Sequence, residues 1–407
     1  MSPGLNHSLP QMSYDGEESP SRRCMTSDQV RMTFLDTALD PRAPSFLDNR
    51  STALAALSAL DAAHTQAREG GGEREVTRHH ARGKLLPRER IELLIDRDSA
   101  LLELSATHGQ PAGAGVVTAI GVVEQALCMI VGNDPTVQEV GLTVDGLPKA
   151  LRAAELARQF GLPLIFLWET SAEARQVSAP GFCVVFGAFT EPPVADHTIM
   201  VRGHGDPLDA DAVADDERDA LRLMRQAVRR LVPAGGPRLH RFGPPPRHEL
   251  EDMLAVGRDE IHEVLARVLD DSVFDEFRAH KSPALITGFG TVHGHRVAVL
   301  GNTSAHLDGA AVQKGLELIR QATLAGVPSL VFGGPGAAAQ PALSRALLGK
   351  PQVTILLGPE PPDFALAHNG FRFTWPSLGV SCFDGVIDPR DTRTVLGICL
   401  AVLEASP

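Results

Sequence analysis

Cysteine, net positive charge and long apolar runs are all scarce in this 407-residue chain, and each scarcity removes a class of function. The five cysteines stand apart at 24, 128, 183, 382 and 399, with no C-x-x-C pair to suggest zinc or redox work. Three of them lie in apolar runs and read as small buried hydrophobes. Lys and Arg number 38 against 50 Asp and Glu, a formal charge of −12, and no long basic stripe offers a nucleic-acid surface. No apolar run approaches membrane-spanning length, and the first residues lack the positive-then-apolar order of a signal peptide. A cytoplasmic location without a membrane partner is the resulting expectation. No Ser–His–Asp order stands out. Gly333-Gly334-Pro335-Gly336 resembles a phosphate loop, but no Gly-Lys-Ser/Thr follows it, and Gly349-Lys350-Pro351 fails the pattern.

What is present describes a globular protein: 43% hydrophobic and 22% charged residues, with enough length for two core-bearing domains. Residues 1–45 are rich in Ser, Pro, Asp and Arg and read as a disordered tail, within which Met25 or Met32 offers an alternative start to Met1. From Phe46 to about Arg68 the apolar spacing is helical, and Gly70, Gly71 and Gly72 end the helix. Residues 211–231 are acidic early and basic late, as a helix dipole favours, and suit a solvated surface helix. The Pro- and Gly-rich stretch 233–249 reads as a linker between domains at 46–232 and 250–407.

Those two domains repeat one another. TAIGVVEQALCMIVGND (118–134) matches TGFGTVHGHRVAVLGNT (287–303) without a gap, pairing Thr118 with Thr287, Gly132 with Gly301 and Asn133 with Asn302. The helical segments that follow pair Lys149 with Lys314 and both end in Gly-x-Pro, at 161–163 and 326–328. Each half reads as strand, strand, helix, buried strand, buried strand, which is an α/β arrangement arising by internal duplication.

The residues also carry a resemblance. RHHARGKLLPRERIELLIDRDSALLELS (78–105) and DGVIDPRDTRTVLGICLAVL (384–403) resemble the two signature ends of carboxyltransferase β subunits of biotin-dependent acyl-CoA carboxylases. FLDNR (46–50) and the Gly70–Gly72 run are closest to the methylcrotonoyl-CoA and geranyl-CoA type, and GAGVVTAIGVV, RAAELARQFGLPLIFL and RFTWP (372–376) match further family blocks. The resemblance implies two tandem crotonase-like domains behind an N-terminal extension. It implies transfer of a carboxyl group from carboxybiotin to an acyl-CoA, with the thioester on the N-terminal domain and biotin on the C-terminal one. It further implies a homo-oligomer with sites between subunits. Biotin and ATP would come with a biotin carboxylase and carrier partner, since no Ala-Met-Lys-Met biotin-attachment stretch and no ATP-binding pattern occur here.

That chemistry generates negative charge on the thioester oxygen and on the ureido oxygen, and backbone N–H pairs in glycine turns stabilise both. The family's glycine turns are altered here. A Ser-Gly-Gly-Ala-Arg-like turn stands as Ser171-Ala172-Glu173-Ala174-Arg175, and the turn after Gly187 runs into Thr190-Glu191-Pro192-Pro193. In the second half Gly333, Gly334 and Gly336 remain on the biotin side, but the turn at Gly358 continues as Pro359-Glu360-Pro361-Pro362. Proline has no N–H to donate. Ser171, Ala172, Gly187, Gly334 and Gly358 are thus the remnants of the oxyanion turns. Only Gln176 to Ala179 separates Arg175 from Pro180, and Gln138-Glu139-Val140 replaces the family's Lys-Gly-Gly.

Arg78, Arg82 and Lys84 are candidate partners for CoA phosphates, weighed against a solvated basic patch. His79-His80 fit a solvated segment better than a metal site, and no metal is expected. Glu169 and Glu191, each after a strand, form a conceivable acid–base pair, with a cap-region role for Glu191 as the plainer reading. Three readings follow: a carboxyltransferase subunit of much reduced activity, a non-catalytic acyl-CoA-binding or assembly subunit, or an acyl-CoA decarboxylase of the same fold.

Overall fold

The protein is described from a computed structural model covering residues 33–177, 179–204, 209–232, 243–257, 259–304, 306–333, 341–357, 370–376 and 384–405. The repeat becomes two sheets. In the first half the strands β2 (Leu101–Leu104), β3 (Val116–Val123), β4 (Ala126–Asn133), β5 (Leu164–Trp168), β6 (Phe182–Val185), β7 (His197–Val201) and β8 (Ala212–Ala214) lie side by side in chain order. The second sheet runs β1 (Thr33–Phe34), β9 (Val273–Glu276), β10 (Leu285–Val292), β11 (His295–Asn302), β12 (Ser329–Gly333), β13 (Gln352–Leu356), β14 (Gly370–Thr374) and β15 (Gly385–Val386). Strands from β4 to β8 and from β11 to β15 are parallel, and their near-continuous burial explains the unbroken apolar runs in the sequence.

Register carries the duplication into space. Val116 pairs with Asn133 as Leu285 pairs with Asn302, and Gly132 faces Leu167 as Gly301 faces Phe332. The helices α4 (Gly146–Phe160) and α8 (Gly309–Ala325) cross equivalent strands, and each ends on a left-handed glycine, Gly161 or Gly326. Lys149 on α4 donates from Nζ to the Val116 carbonyl at 2.6 Å, and Lys314 on α8 donates to the equivalent Leu285 carbonyl at 2.9 Å. Both lysines are buried, so each ties its helix to the first residue of the neighbouring strand.

A second pair of equivalent ties closes the hairpins. Asp96 accepts from the amides of Glu124 and Gln125 at the β3–β4 turn, and Asp270 accepts from His293 and Gly294 at the β10–β11 turn. An arginine from a later helix completes each. Arg225 of α6 (Glu217–Leu231) bonds Asp96 and the Leu94 carbonyl, and Arg393 of α10 (Thr392–Ala405) bonds Asp270 and the Val268 carbonyl.

The halves share one hydrophobic core, in which Phe160 of α4 stacks on Phe371 of β14 with ring centres 5.2 Å apart. Arg152 of α4 reaches across to Asp384 (3.1 Å), whose side chain also accepts from the Arg372 amide at 2.8 Å. Within the segment expected to be a tail, residues 33–45 are packed on the second half. There β1 pairs with β9, while Thr37 Oγ1 and the Ala38 amide donate to Glu263 at 2.7 and 2.6 Å. Helix α1 (Pro44–Arg68) also reaches the second half, with Asn49 donating to the Ala255 carbonyl and Arg50 paired with Glu251.

Candidate functional site

The site lies where β4 and β5 end. Asn133, the last residue of β4, turns its side chain to the start of the next turn: Oδ1 accepts from the Glu169 amide at 2.8 Å. The segment expected to be an open turn is instead a short helix, α5 (Ser171–Gln176), with Thr170 as its N-cap. Thr170 Oγ1 accepts from the Ala172 amide at 3.2 Å, and the Thr170 amide donates to Glu173 Oε2 at 2.9 Å. The Ser171 amide donates to the Ala188 carbonyl at 2.9 Å. Four consecutive amides, Glu169 to Ala172, are therefore each bonded inside the chain.

Glu173 stands where the family resemblance expects glycine, and it is completely buried. Its Oε2 takes the Thr170 amide and the Thr170 hydroxyl, the latter at 2.6 Å. Its Oε1 takes the Gly141 amide at 2.9 Å and Asn133 Nδ2 at 3.3 Å. The loop carrying Gly141 is held further by Gln176, whose side chain accepts from the Leu142 amide. On the other side of Asn133, the Gly70–Gly72 run does more than end α1. A Cβ on Gly71 would collide with the Thr136 carbonyl, and the Gly71 amide donates to Thr136 Oγ1 at 2.9 Å, so the bare backbone lies directly on the loop after β4.

Gly187 also has a spatial duty. A Cβ there would meet the Glu169 carbonyl at 2.6 Å and Lys84 Nζ at 3.3 Å. Lys84, considered for CoA phosphate, is ion-paired with Glu169. Glu169 also binds Arg90 at 2.8 Å, and Arg90, on α3 (Pro87–Leu94), binds Glu217 of α6 at 2.8 Å. Arg90 is fully buried and its guanidinium lies 3.9 Å from the centre of the Phe186 ring. Burial alone would raise the Glu169 carboxyl, but Arg90 and Lys84 outweigh it and hold the group below the usual carboxylate range. A carboxylate held ionised in this way is poorly matched to general acid–base work near neutral pH.

Other sequence candidates separate. Glu191 is exposed on the far loop, paired with Arg175 at 3.0 Å rather than placed beside Glu169. Its segment is no helix start: the parallel connection from β6 to β7 contains no helix, and Pro192 and Pro193 lie in that short crossover. Ser171 is buried and shares a 3.0 Å hydrogen bond between its hydroxyl and that of Thr190. Ala172 sits in the first turn of α5. Arg82 is exposed at the end of α2 (Glu73–Ala81), and Arg78 pairs with Glu75. His79, expected to be solvated, is buried with Nε2 facing the Leu85 carbonyl at 3.2 Å, while His80 pairs with Glu89. Among the described residues no group of three His, Cys, Asp or Glu could hold a metal, and no helix is long and apolar enough to cross a membrane. In the second half, Gly333 has φ +126° and a Cβ there would overlap Asn302 Oδ1. Gly334, Gly336, Gly358 and Pro361-Pro362 lie outside the described residues.

Two contributors were missed in the sequence. Asn133 served there only as a repeat marker, yet it joins the β5 end to Glu173. The spacing Thr170-x-x-Glu173 is a capping-box signature that could have revealed both the helix and the inward turn of the glutamate.

Comparison with known proteins identifies the family and the fold. The carboxyl transferase domain model matches residues 78–178 and 209–330. The chain belongs to that family. It is 29% identical to a probable biotin-dependent acyl-coenzyme A carboxylase beta2 subunit of Mycobacterium tuberculosis, over 92% of this chain and 98% of that protein. Identity to the mitochondrial methylcrotonoyl-CoA carboxylase beta chain of Arabidopsis thaliana is 25%, over 90% and 89%. The crystal structure of the P. aeruginosa geranyl-CoA carboxylase beta subunit superposes with a TM-score of 0.76 at 21% identity, over 92% of this chain and 98% of that one, which shows the shared fold. The alignment with the M. tuberculosis protein spans 526 positions against 407 residues here, so at least 119 (526 − 407) have no counterpart in this carboxyl transferase chain.

Proposed function

We propose that this carboxyl transferase family member keeps an acyl-CoA-handling scaffold and performs carboxyl transfer from carboxybiotin, if at all, several orders of magnitude more slowly than its glycine-complete relatives. The observation that carries this is the internal bonding of the Glu169, Thr170, Ser171 and Ala172 amides. Each missing oxyanion donor costs roughly a hundred- to a thousand-fold in rate. Pro192 and Pro193 supply no replacement, because neither has an N–H.

The relatives are named as beta subunits of biotin-dependent carboxylases, which supports a partner that carries biotin and an assembly in which this chain is one component, itself a homo-oligomer. Arg82, exposed at the end of α2, is the residue proposed to meet a CoA phosphate, whereas Lys84 is committed to Glu169. The second reading, a non-catalytic acyl-CoA-binding or assembly subunit, is favoured by the same filled donors. An assay with biotin carboxylase and carrier supplied in trans, on methylcrotonoyl-, geranyl-, propionyl- and acetyl-CoA, tests the proposal alongside calorimetric titration of the same panel. Binding without biotin-dependent turnover is expected. Turnover at ordinary carboxylase rates overturns the reading, and absence of any acyl-CoA binding removes its substrate side.

A further inference from the structure

Glu173 is a buried carboxylate with no cation paired to it among the described residues, and it holds four donors from three separate segments. Asn133 Nδ2 comes from the end of β4, the Gly141 amide from the following loop, and the Thr170 amide and hydroxyl from the end of β5. A capping box accounts for the two Thr170 bonds alone. It accounts for neither Gly141 nor Asn133, and it does not require the complete burial found at Glu173. The orientation of Asn133 is fixed as well, since its Oδ1 is committed to the Glu169 amide, which leaves Nδ2 facing Glu173. Charge-assisted bonds of this kind are stronger than neutral ones, and together they offset the cost of burying the anion.

We propose that these donors form a carboxylate-binding site, specific for a small monocarboxylate, whose occupant is supplied by the chain itself and keeps external carboxylates out. The inference deepens the reading above, because the seat adjoins the turn whose amides are filled. Its test uses neither acyl-CoA nor biotin, so each can fail while the other stands.

Removing the occupant should open the seat. In Glu173→Ala the atoms lost beyond Cβ are a methylene and a carboxylate, which acetate replaces as methyl and carboxylate. In Glu173→Gly one more carbon is lost, and propionate replaces all three. Thermal melts of the purified full-length chain are run in sodium acetate, sodium propionate and sodium chloride at equal ionic strength. Both variants are expected to melt well below wild type. Saturable recovery of at least half the loss is expected by about 100 mM, best with acetate for E173A and with propionate for E173G, since a ligand that binds only the folded state stabilises it by mass action. Glu173→Gln fills the seat with an uncharged group of the same size, and it is expected to melt lower than wild type without responding to either carboxylate. Where a variant does not fold in plain buffer, its refolding yield in acetate or propionate against chloride reads the same question. Recovery no greater than in chloride, an equal gain in wild type, or an equal response in E173Q overturns the proposal.

Discussion

Replacing Lys149 by methionine should stabilise the protein at neutral pH and lose that advantage as pH rises. The ammonium of Lys149 is buried, and its hydrogen-bond acceptors are the Val116 carbonyl at 2.6 Å and the Gly113 carbonyl at 3.3 Å. The nearest charges, Glu103 and Arg88, form their own pair at 2.7 Å and act on Lys149 with opposite sign. Burial therefore dominates and brings the lysine from 10.5 down to about 7. At 1.36 kcal/mol per unit, that is a penalty of roughly 4–5 kcal/mol on the charged form. Methionine keeps most of the stem but leaves the Val116 carbonyl without its donor, a loss of about 1 kcal/mol. The expected gain for K149M below pH 7 is therefore about 2–4 kcal/mol. Between pH 7 and 10.5 the unfolded wild-type chain binds a proton that the folded chain does not, so wild-type stability rises with pH across that window. Methionine has no such contribution, and the gap should close. Urea unfolding of both proteins at pH 6, 7, 8 and 9.5 reads it directly. A gap that stays constant over this range, or widens upward, refutes the reasoning.

Arg90→Met should cost about 3–5 kcal/mol in urea unfolding, because Glu217 and Glu169 would remain buried without their shared guanidinium. Gly71→Ala should destabilise by about 1–3 kcal/mol through collision with the Thr136 carbonyl, whereas Gly309→Ala, whose Cβ meets nothing within 4 Å, should be neutral or slightly stabilising in parallel melts. Asp384→Asn should lower the urea midpoint by the equivalent of about 3–5 kcal/mol, since it breaks the buried pair with Arg152 that joins the halves; an unchanged midpoint would show that the shared core alone holds them.

What the sequence revealed and what it concealed divide along sequence separation. The ungapped match of 118–134 to 287–303 is local and long enough to survive, and it fixes the hairpin register of both sheets. The helices α4 and α8 follow from their apolar period and their terminal glycines. Lys84 and Glu169 are 85 residues apart, and Arg90 and Glu217 are 127 apart. Nothing in local composition says that such charges will meet rather than face solvent or a phosphate. The expected tail includes residues 33–40 because their partners are remote in sequence: β1 pairs with β9, Thr37 and Ala38 bond the Glu263 carboxylate, and Leu35 and Leu39 pack against the core. Proline marks positions that lack a donor, but the amides spent internally go to Asn133, Glu173, Ala188 and Thr170, and only the bonds within Thr170–Glu173 are visible in the sequence, as a capping-box spacing.

The two halves supply an internal control on what has changed. Asp96 with Arg225 and Asp270 with Arg393 make the same bonds at equivalent hairpins, and Lys149 and Lys314 make the same bond at equivalent strands. These ties touch no candidate substrate-facing turn, and both copies persist. At the strand ends Asn133 contacts Glu169 and Glu173, and Asn302 donates to the Ser304 carbonyl, while the second-half turn that follows Gly333 lies outside the described residues. The structural ties are therefore the same in both halves, while at the described turn of the first half Glu173, where the resemblance expects glycine, takes the Thr170 and Gly141 amides.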